Sequence, residues 1–332
     1  ITNAKYNFKD DYTKLLPFYN YSPDQTVKDT VELDSIIYKA NAGILLHDLR
    51  NGWIDNLYLI MGKAYFYSQE YDSAYLIFQY INYAFSPKEK DGYDKVIGSN
   101  ANEGGNAFSI STSEKRDIIK FLFSHRPSRN ESFLWLIRTN LAKGEFAEAG
   151  GMIETLKNDP VYPERLHSTL DELQAFSYYL QENYDSAVVY LERALPNAEN
   201  RFELARWEFL LGQLYERLHK STEAQAFFQK AALHSPDPIL EVYARLNAIR
   251  QNITDEAINE NVRDLVRMAH RDKYLSYRDI IYYAAAQMEL ERKGTEAAKR
   301  LLLLSTKNSS EQSIEKMQKS KSFLLLGDLS YG

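Results

Sequence analysis

An all-α fold, assembled as a stack of antiparallel helix pairs, is what this sequence predicts, and three observations predict it. Apolar residues recur at helical spacing, i, i+3 and i+4, in segment after segment. Two turn sequences, Gln69-Glu70-Tyr71-Asp72-Ser73-Ala74 and Gln181-Glu182-Asn183-Tyr184-Asp185-Ser186-Ala187, are near copies of each other. Gly and Pro number only 14 and 9 in 332 residues, a length too great for one ordinary core but natural for stacked repeats.

Taken in order, residues 1–29 are rich in Tyr, Asp and Asn with Pro17 and Pro23, so an extended lead-in is expected. Residues 30–85 hold the N-terminal helices and the first repeat unit: Tyr58, Met61-Gly62-x-x-Tyr65, Ala74 and Phe78, closed by Pro87. Residues 86–113 carry Gly92, Gly98, Gly104 and Gly105 among Asn, Ser and Lys and read as an insertion loop. Residues 114–332 read as an array of about five helix pairs. The first of these has Phe133, Leu136, the turn Lys143-Gly144-Glu145-Phe146, Ala149 and Ile153. The next has Tyr178, Ala187, Leu191 and Ala194. The clearest unit follows, with Leu211-Gly212-x-x-Tyr215, Ala224, Phe228, Ala231 and Pro236. A degenerate pair covers 239–273, and a weaker unit spans 278–305 around the turn Lys293-Gly294-Thr295-Glu296-Ala297. Residues 320–331, with Leu326-Gly327, resemble the first helix of a further, incomplete unit; a capping helix is the alternative.

The clearest unit carries the tetratricopeptide pattern, L-G-x2-Y on a first helix and A-x3-F-x2-A on a second, with Pro after it. Gly212 and Ala224 are small where the two helices must cross closely, Tyr215, Phe228 and Ala231 fill the crossing, and Pro236 lacks the N–H that would continue the helix. The predicted fold is therefore a right-handed tetratricopeptide-repeat α-solenoid of antiparallel helix pairs.

Several chemistries are excluded or unsupported. With no cysteine, disulfides, thiolate metal sites and cysteine nucleophiles are absent. The six histidines are scattered, with no H-E-x-x-H, and there is no G-x-S-x-G elbow, P-loop or G-x-G-x-x-G. No catalytic residue, metal ligand or cofactor-binding residue is expected. The net charge of −6 and pI near 5.7 argue against broad nucleic-acid binding. No stretch approaches the roughly 18–20 apolar residues of a membrane span. The cluster Lys115-Arg116, His125-Arg126 and Arg129 is read either as solvated surface or as a contact for an acidic partner.

The aromatic load, 25 Tyr and 16 Phe, is the more informative feature. In such an array the first helix of each pair lines a concave groove. The residues expected there are Lys63, Tyr67, Arg138, Phe176, Tyr179, Arg206, Phe209, Gln213 and Tyr282, with packing against neighbouring units as the alternative for each. Aromatic side chains and Arg dominate binding hot spots, and an extended concave surface suits a peptide segment or a partner helix.

Tyr6-Asn7, then 10–19 (DDYTKLLPFY), 51–64 (NGWIDNLYLIMGKA), Tyr65-Phe66-Tyr67, Asp72-Ser73-Ala74 and Phe78-Gln79-Tyr80-Ile81 resemble the N-terminal part of the PorW/SprE lipoproteins. Those belong to the type IX secretion and gliding machinery of Bacteroidetes. The resemblance covers roughly the first 85 residues. It implies a non-enzymatic lipoprotein on the periplasmic face of the outer membrane, linking a ring complex to the outer-membrane translocon. Its partners would be other secretion-complex subunits or peptide segments. Membrane attachment would come only through a lipid anchor upstream of Ile1, where the expected processed or truncated start lies. The alternative is a cytoplasmic repeat adaptor binding peptide segments of partner proteins. A glycan-binding lipoprotein of the SusD type would show Trp on loops, whereas Trp53, Trp135 and Trp207 fall on or beside repeat helices.

Overall fold

The computed structural model describes residues 10–20, 26, 30–47, 51–86, 110–112, 114, 126–251, 255–309 and 317–331. Tyr6-Asn7, the four glycines of the 86–113 stretch and the basic residues Lys115, Arg116 and His125 lie outside them. Among the described residues there are fourteen α-helices and no strand. They are α1 (Thr30–Leu46), α2 (Ile54–Tyr67), α3 (Tyr71–Ala84), α4 (Arg129–Lys143), α5 (Phe146–Lys157), α6 (His167–Leu180) and α7 (Tyr184–Ala194), followed by α8 (Arg201–Arg217), α9 (Ser221–His234), α10 (Pro238–Arg250), α11 (Asp255–Ala269), α12 (Arg278–Glu291), α13 (Thr295–Asn308) and α14 (Gln318–Tyr331). Consecutive helices pack against each other in pairs. Two compact units result: one holds 17–197 with 1–10, the other 198–332 with the short stretch 11–16.

One turn recurs between the two helices of a pair. Gln69, Gly144, Glu182, His219 and Lys293 all have φ between 57° and 79°, the left-handed region. In each case the residue after it donates its N–H to the carbonyl five residues back: Glu70 to Tyr65 (2.9 Å), Glu145 to Asn140 (2.8 Å), Asn183 to Tyr178 (2.9 Å), Lys220 to Tyr215 (2.9 Å) and Gly294 to Glu289 (2.7 Å). The left-handed residue itself bonds three back, so all five are complete Schellman motifs that satisfy the last carbonyls of the first helix. The turn residues stand 75, 38, 37 and 74 positions apart, which is a period of 37–38 residues with two intervals of double length.

The same motif opens the second helix. Five residues after each left-handed residue comes an alanine: Ala74, Ala149, Ala187, Ala224 and Ala298. Each alanine N–H bonds the carbonyl of the residue just before its helix, at 2.9–3.1 Å. Four and seven positions further on lie Phe78 and Ile81, Ile153 and Leu156, Leu191 and Ala194, Phe228 and Ala231, and Leu302 and Ser305. All of these, with the five alanines, have zero solvent exposure. In the last pair the buried alanine is Ala298 and not Ala297, one position later than the sequence pattern suggested, because Lys293 rather than Gly294 takes the left-handed conformation.

Opposite this stripe the first helix presents a residue whose size trades against its partner. Seven positions before the turn residue stand Gly62, Ile137, Ala175, Gly212 and Ala286, and sixteen positions after them Phe78, Ile153, Leu191, Phe228 and Leu302. In four of the five pairs glycine goes with phenylalanine or alanine with leucine; the exception is Ile137 with Ile153. A Cβ on Gly62 would lie 2.5 Å from the Phe78 ring, and one on Gly212 would lie 2.6 Å from Phe228. The helices of these pairs approach as closely as a ring laid on bare backbone allows. Gly327, in α14, has nothing within 4 Å of its Cβ position.

A buried carboxylate braces the second unit. Glu241 on α10 accepts the Tyr274 hydroxyl (2.6 Å), the Arg245 guanidinium (3.0 Å) and the Lys273 ammonium. Burial by itself would raise its pKa, but these donors outweigh it and hold the carboxyl below the ordinary glutamate value.

Two stability predictions follow from the turn and the crossing. Left-handed backbone costs a non-glycine residue about 1–2 kcal/mol, and glycine in the unfolded chain gives back part of that. His219→Gly and Lys293→Gly should therefore each stabilise the chain by about 0.5–1 kcal/mol, while Gly144→Ala should destabilise it by about 1 kcal/mol, read as urea midpoints. Gly212→Ala should cost about 1–3 kcal/mol through collision with Phe228. Gly327→Ala should be neutral or stabilising by up to about 1 kcal/mol on the same measurement, from helix propensity alone.

Candidate functional site

The described part of the lead-in, residues 10–20, lies on faces that the sequence pattern assigned to the groove. In the first unit, Phe18 and Tyr19 are buried against α6. The Phe18 ring lies 5.1 Å from Phe176 and 5.7 Å from Tyr179, and Tyr19 lies 4.9 Å from Phe176. The Tyr19 hydroxyl donates to Glu172 (2.7 Å), which is buried. The same carboxylate receives the Arg138 guanidinium (2.5 Å) and the Asn197 amide. Arg138 also sits over the rings of Tyr19 (5.1 Å) and Trp135 (5.0 Å). A buried carboxylate must find such partners or pay a large desolvation cost, so the three donors are one construction.

In the second unit, residues 11–16 lie on α8 and α10. Asp11 shapes the segment by accepting the Thr13 hydroxyl and backbone N–H and the Lys14 ammonium (3.0 Å). The Thr13 hydroxyl, above all, holds the Asp11 carboxyl below its ordinary value, against a smaller opposing effect of burial. The Tyr12 ring packs on Phe209 (5.6 Å) and Tyr243 (5.8 Å), and its hydroxyl donates to Asp237 (3.4 Å). Leu16 is fully buried. Between these anchors Gln213 grips the backbone: its amide nitrogen donates to the Lys14 carbonyl (2.6 Å) and its amide oxygen accepts the Leu16 N–H (2.9 Å). Past the lead-in, a cleft of about 470 Å³ opens on α8, α10, α12 and α14, with residues 12–15 forming part of its lining.

Of the nine residues expected in the groove, Lys63, Arg138, Phe176 and Gln213 stand at one register, six positions before the left-handed turn residue. Arg138, Phe176 and Gln213 hold the lead-in, as do Tyr179 and Phe209. Lys63 instead pairs with Glu131 (2.6 Å) and lies 5.1 Å from the Trp135 ring centre. Tyr67 is buried against Phe66 and Trp135, and its carbonyl accepts the Thr26 hydroxyl (2.8 Å). Arg206 and Tyr282 are in the core, 1% and 5% exposed, and it is Tyr283 that lines the cleft. Tyr282 lies off the groove register, which explains its burial, whereas Arg206, seven positions before Gln213, shares its face of α8 and is buried nonetheless.

The sequence reading did not single out Tyr12, Leu16, Phe18 and Tyr19 as anchors, nor Glu172, Arg250 and Gln287 as groove residues. The register would have found the last two, since Gln213, Arg250 and Gln287 are 37 residues apart. Among the described residues, no group of three or more His, Asp and Glu could hold a metal ion, and no helix is long and apolar enough to cross a membrane.

No family model and no curated protein matches the chain. Among solved structures it is similar to BtubC (BKLC) from P. vanneervenii, at 16% identity and a TM-score of 0.29, over 64% of this chain and 76% of that one.

Removing the anchors tests how firmly the lead-in is seated. Leu16→Ala should cost about 2–5 kcal/mol of unfolding free energy, as other fully buried leucines do. Gln213→Leu should cost about 1–3 kcal/mol by stripping the Lys14 carbonyl and the Leu16 N–H of this partner. Both are read by urea denaturation.

Proposed function

We propose that this chain is a non-enzymatic tetratricopeptide-repeat scaffold that binds segments of other proteins along the exposed faces of its first helices. The observation that carries the reading is Gln213. It holds the segment 14–16 by one carbonyl and one N–H, the way a groove reads peptide backbone without regard to side chain. The repeated turn with its buried alanine, and the glycine–phenylalanine crossings, support the tetratricopeptide assignment; the period of 37–38 residues is longer than the 34 of the common repeat.

The N-terminal block that resembles the PorW/SprE lipoproteins narrows the setting to a periplasm-facing component of the type IX secretion and gliding machinery. There the chain would join a ring complex to the outer-membrane translocon. Part of that block, residues 11–19, makes the groove contacts, so the resemblance falls on residues with a defined structural task.

Affinity purification of the tagged chain from detergent-solubilised envelopes of a Bacteroidetes host tests this. Ring-complex or translocon subunits are expected in the eluate. Recovery of cytoplasmic proteins alone would overturn the secretion assignment in favour of the cytoplasmic adaptor.

A further inference from the structure

We infer that the open cleft of the second unit is a binding site for an extended acidic peptide segment of a partner protein, an inference that rests on the scaffold reading and specifies its ligand. The first argument is continuity. Gln213 grips the backbone of residues 14–16, and the same register continues at Arg250 and Gln287, both in the lining of the cleft. These two are already joined side chain to side chain, the Arg250 guanidinium donating to the Gln287 amide oxygen (2.8 Å). With Asn247 beside them, they put two amides and a guanidinium along the path on which Gln213 holds the lead-in. Amide side chains at that spacing suit a chain in extended form, which offers a carbonyl and an N–H at every residue.

The second argument is charge. The protein carries a net −6, yet Lys14, Arg217, Arg250 and Lys321 meet in this cleft and Glu216 is the one acidic residue lining it. Glu216 accepts the Gln251 amide (2.7 Å), and Lys14 is paired with the exposed Asp11 (3.0 Å). Among the described residues lining the cleft, four are cationic and one is acidic. A cationic strip on an acidic protein selects acidic partners and repels other copies of the chain, whose surfaces are acidic on balance. The volume, about 470 Å³, is that of a site for a few residues and not for a folded domain. Tyr12, Tyr243 and Tyr283 supply aromatic surface for side chains between the acidic ones.

The site is also composite: residues 12–15 belong to its lining, so the seated lead-in builds the cleft and does not compete for it.

The probe is a fluorescein-labelled octapeptide alternating Glu with Leu and Ser, compared with versions in which every Glu is Gln or Lys. Fluorescence anisotropy is read on the full chain at low and at high salt. The acidic peptide is expected to bind at least about tenfold tighter than either control and to weaken as salt rises. Arg250→Glu, an exposed position, should reduce acidic-peptide affinity about tenfold or more while leaving the thermal melt unchanged. Equal binding of the Gln peptide, no binding of the acidic one, or an Arg250→Glu affinity within about twofold of the parent would overturn the inference. Envelope pull-down separates the two readings. If secretion subunits are captured but the acidic peptide is not bound, the cleft assignment fails and the scaffold stands; if the peptide binds but no protein partner is captured, the reverse holds.

Discussion

The close crossing of two helices, and the turn that permits it, is the constraint on which the rest of the chain depends. A first helix ending in a Schellman motif is reversed within two residues, one left-handed and one with ψ between 56° and 75°, and the second helix begins before the chain has moved away. At that distance there is room for alanine at the fifth position and little else. In four of the five pairs the opposed positions share a similar volume, glycine meeting phenylalanine and alanine standing across from leucine, while Ile137 faces Ile153. Four of the five turn residues accept left-handed backbone without being glycine, a local cost the buried stripe has to offset. The offset is available because every residue of that stripe is fully buried.

A fixed crossing has a consequence for function. If every pair turns in the same way, the residue six before the turn takes the same place within its own helix pair. Arg138 and Phe176 both meet Tyr19, Gln213 meets Lys14 and Leu16, and the three answer with three kinds of chemistry. Arg138 pairs with a buried carboxylate that also takes the Tyr19 hydroxyl, Phe176 packs on rings, and Gln213 reads backbone. The scaffold holds position constant and leaves the side chain open to change. That division suits a protein whose task is recognition, because a groove residue can be exchanged without disturbing the Gly62–Phe78 or Gly212–Phe228 contact beneath it.

Much of the fold was legible because its grammar is local. Gly212, Ala224, Phe228 and Ala231 have meanings set by neighbours a few positions away or one turn back, and the QEYDSA-type turns repeat by eye. The pair around Lys293 was legible only to within one residue, since a Lys-Gly dipeptide invites the left-handed conformation at glycine, whereas the hydrogen bond from Gly294 to Glu289 needs it at Lys293. Part of the groove was legible through helical spacing; Arg206 and Tyr282 are buried, the alternative the spacing left open, because a polar or phenolic side chain on a helix does not reveal which face is covered. The role of residues 12–19 was not legible at all. The anchors Tyr12, Leu16, Phe18 and Tyr19 follow no period, and their partners are more than a hundred residues away.

The seated lead-in also decides which parts of the array can serve a partner. A segment tethered to its own groove is present at an effective concentration on the millimolar scale, so an outside peptide competing for the same contacts starts at a disadvantage. The faces at Phe176 and at Gln213 are therefore poor receptors while Phe18 and Leu16 remain buried on them. On the proposed reading, recognition would fall to surface that the lead-in does not cover. On α10 and α12 that surface is Arg250 and Gln287, the continuation of the very register that holds the lead-in. By occupying part of the groove, the chain would, on the proposed reading, restrict its partners to segments that can use the remainder, and in the second unit Lys14, Arg217, Arg250 and Lys321 line that remainder.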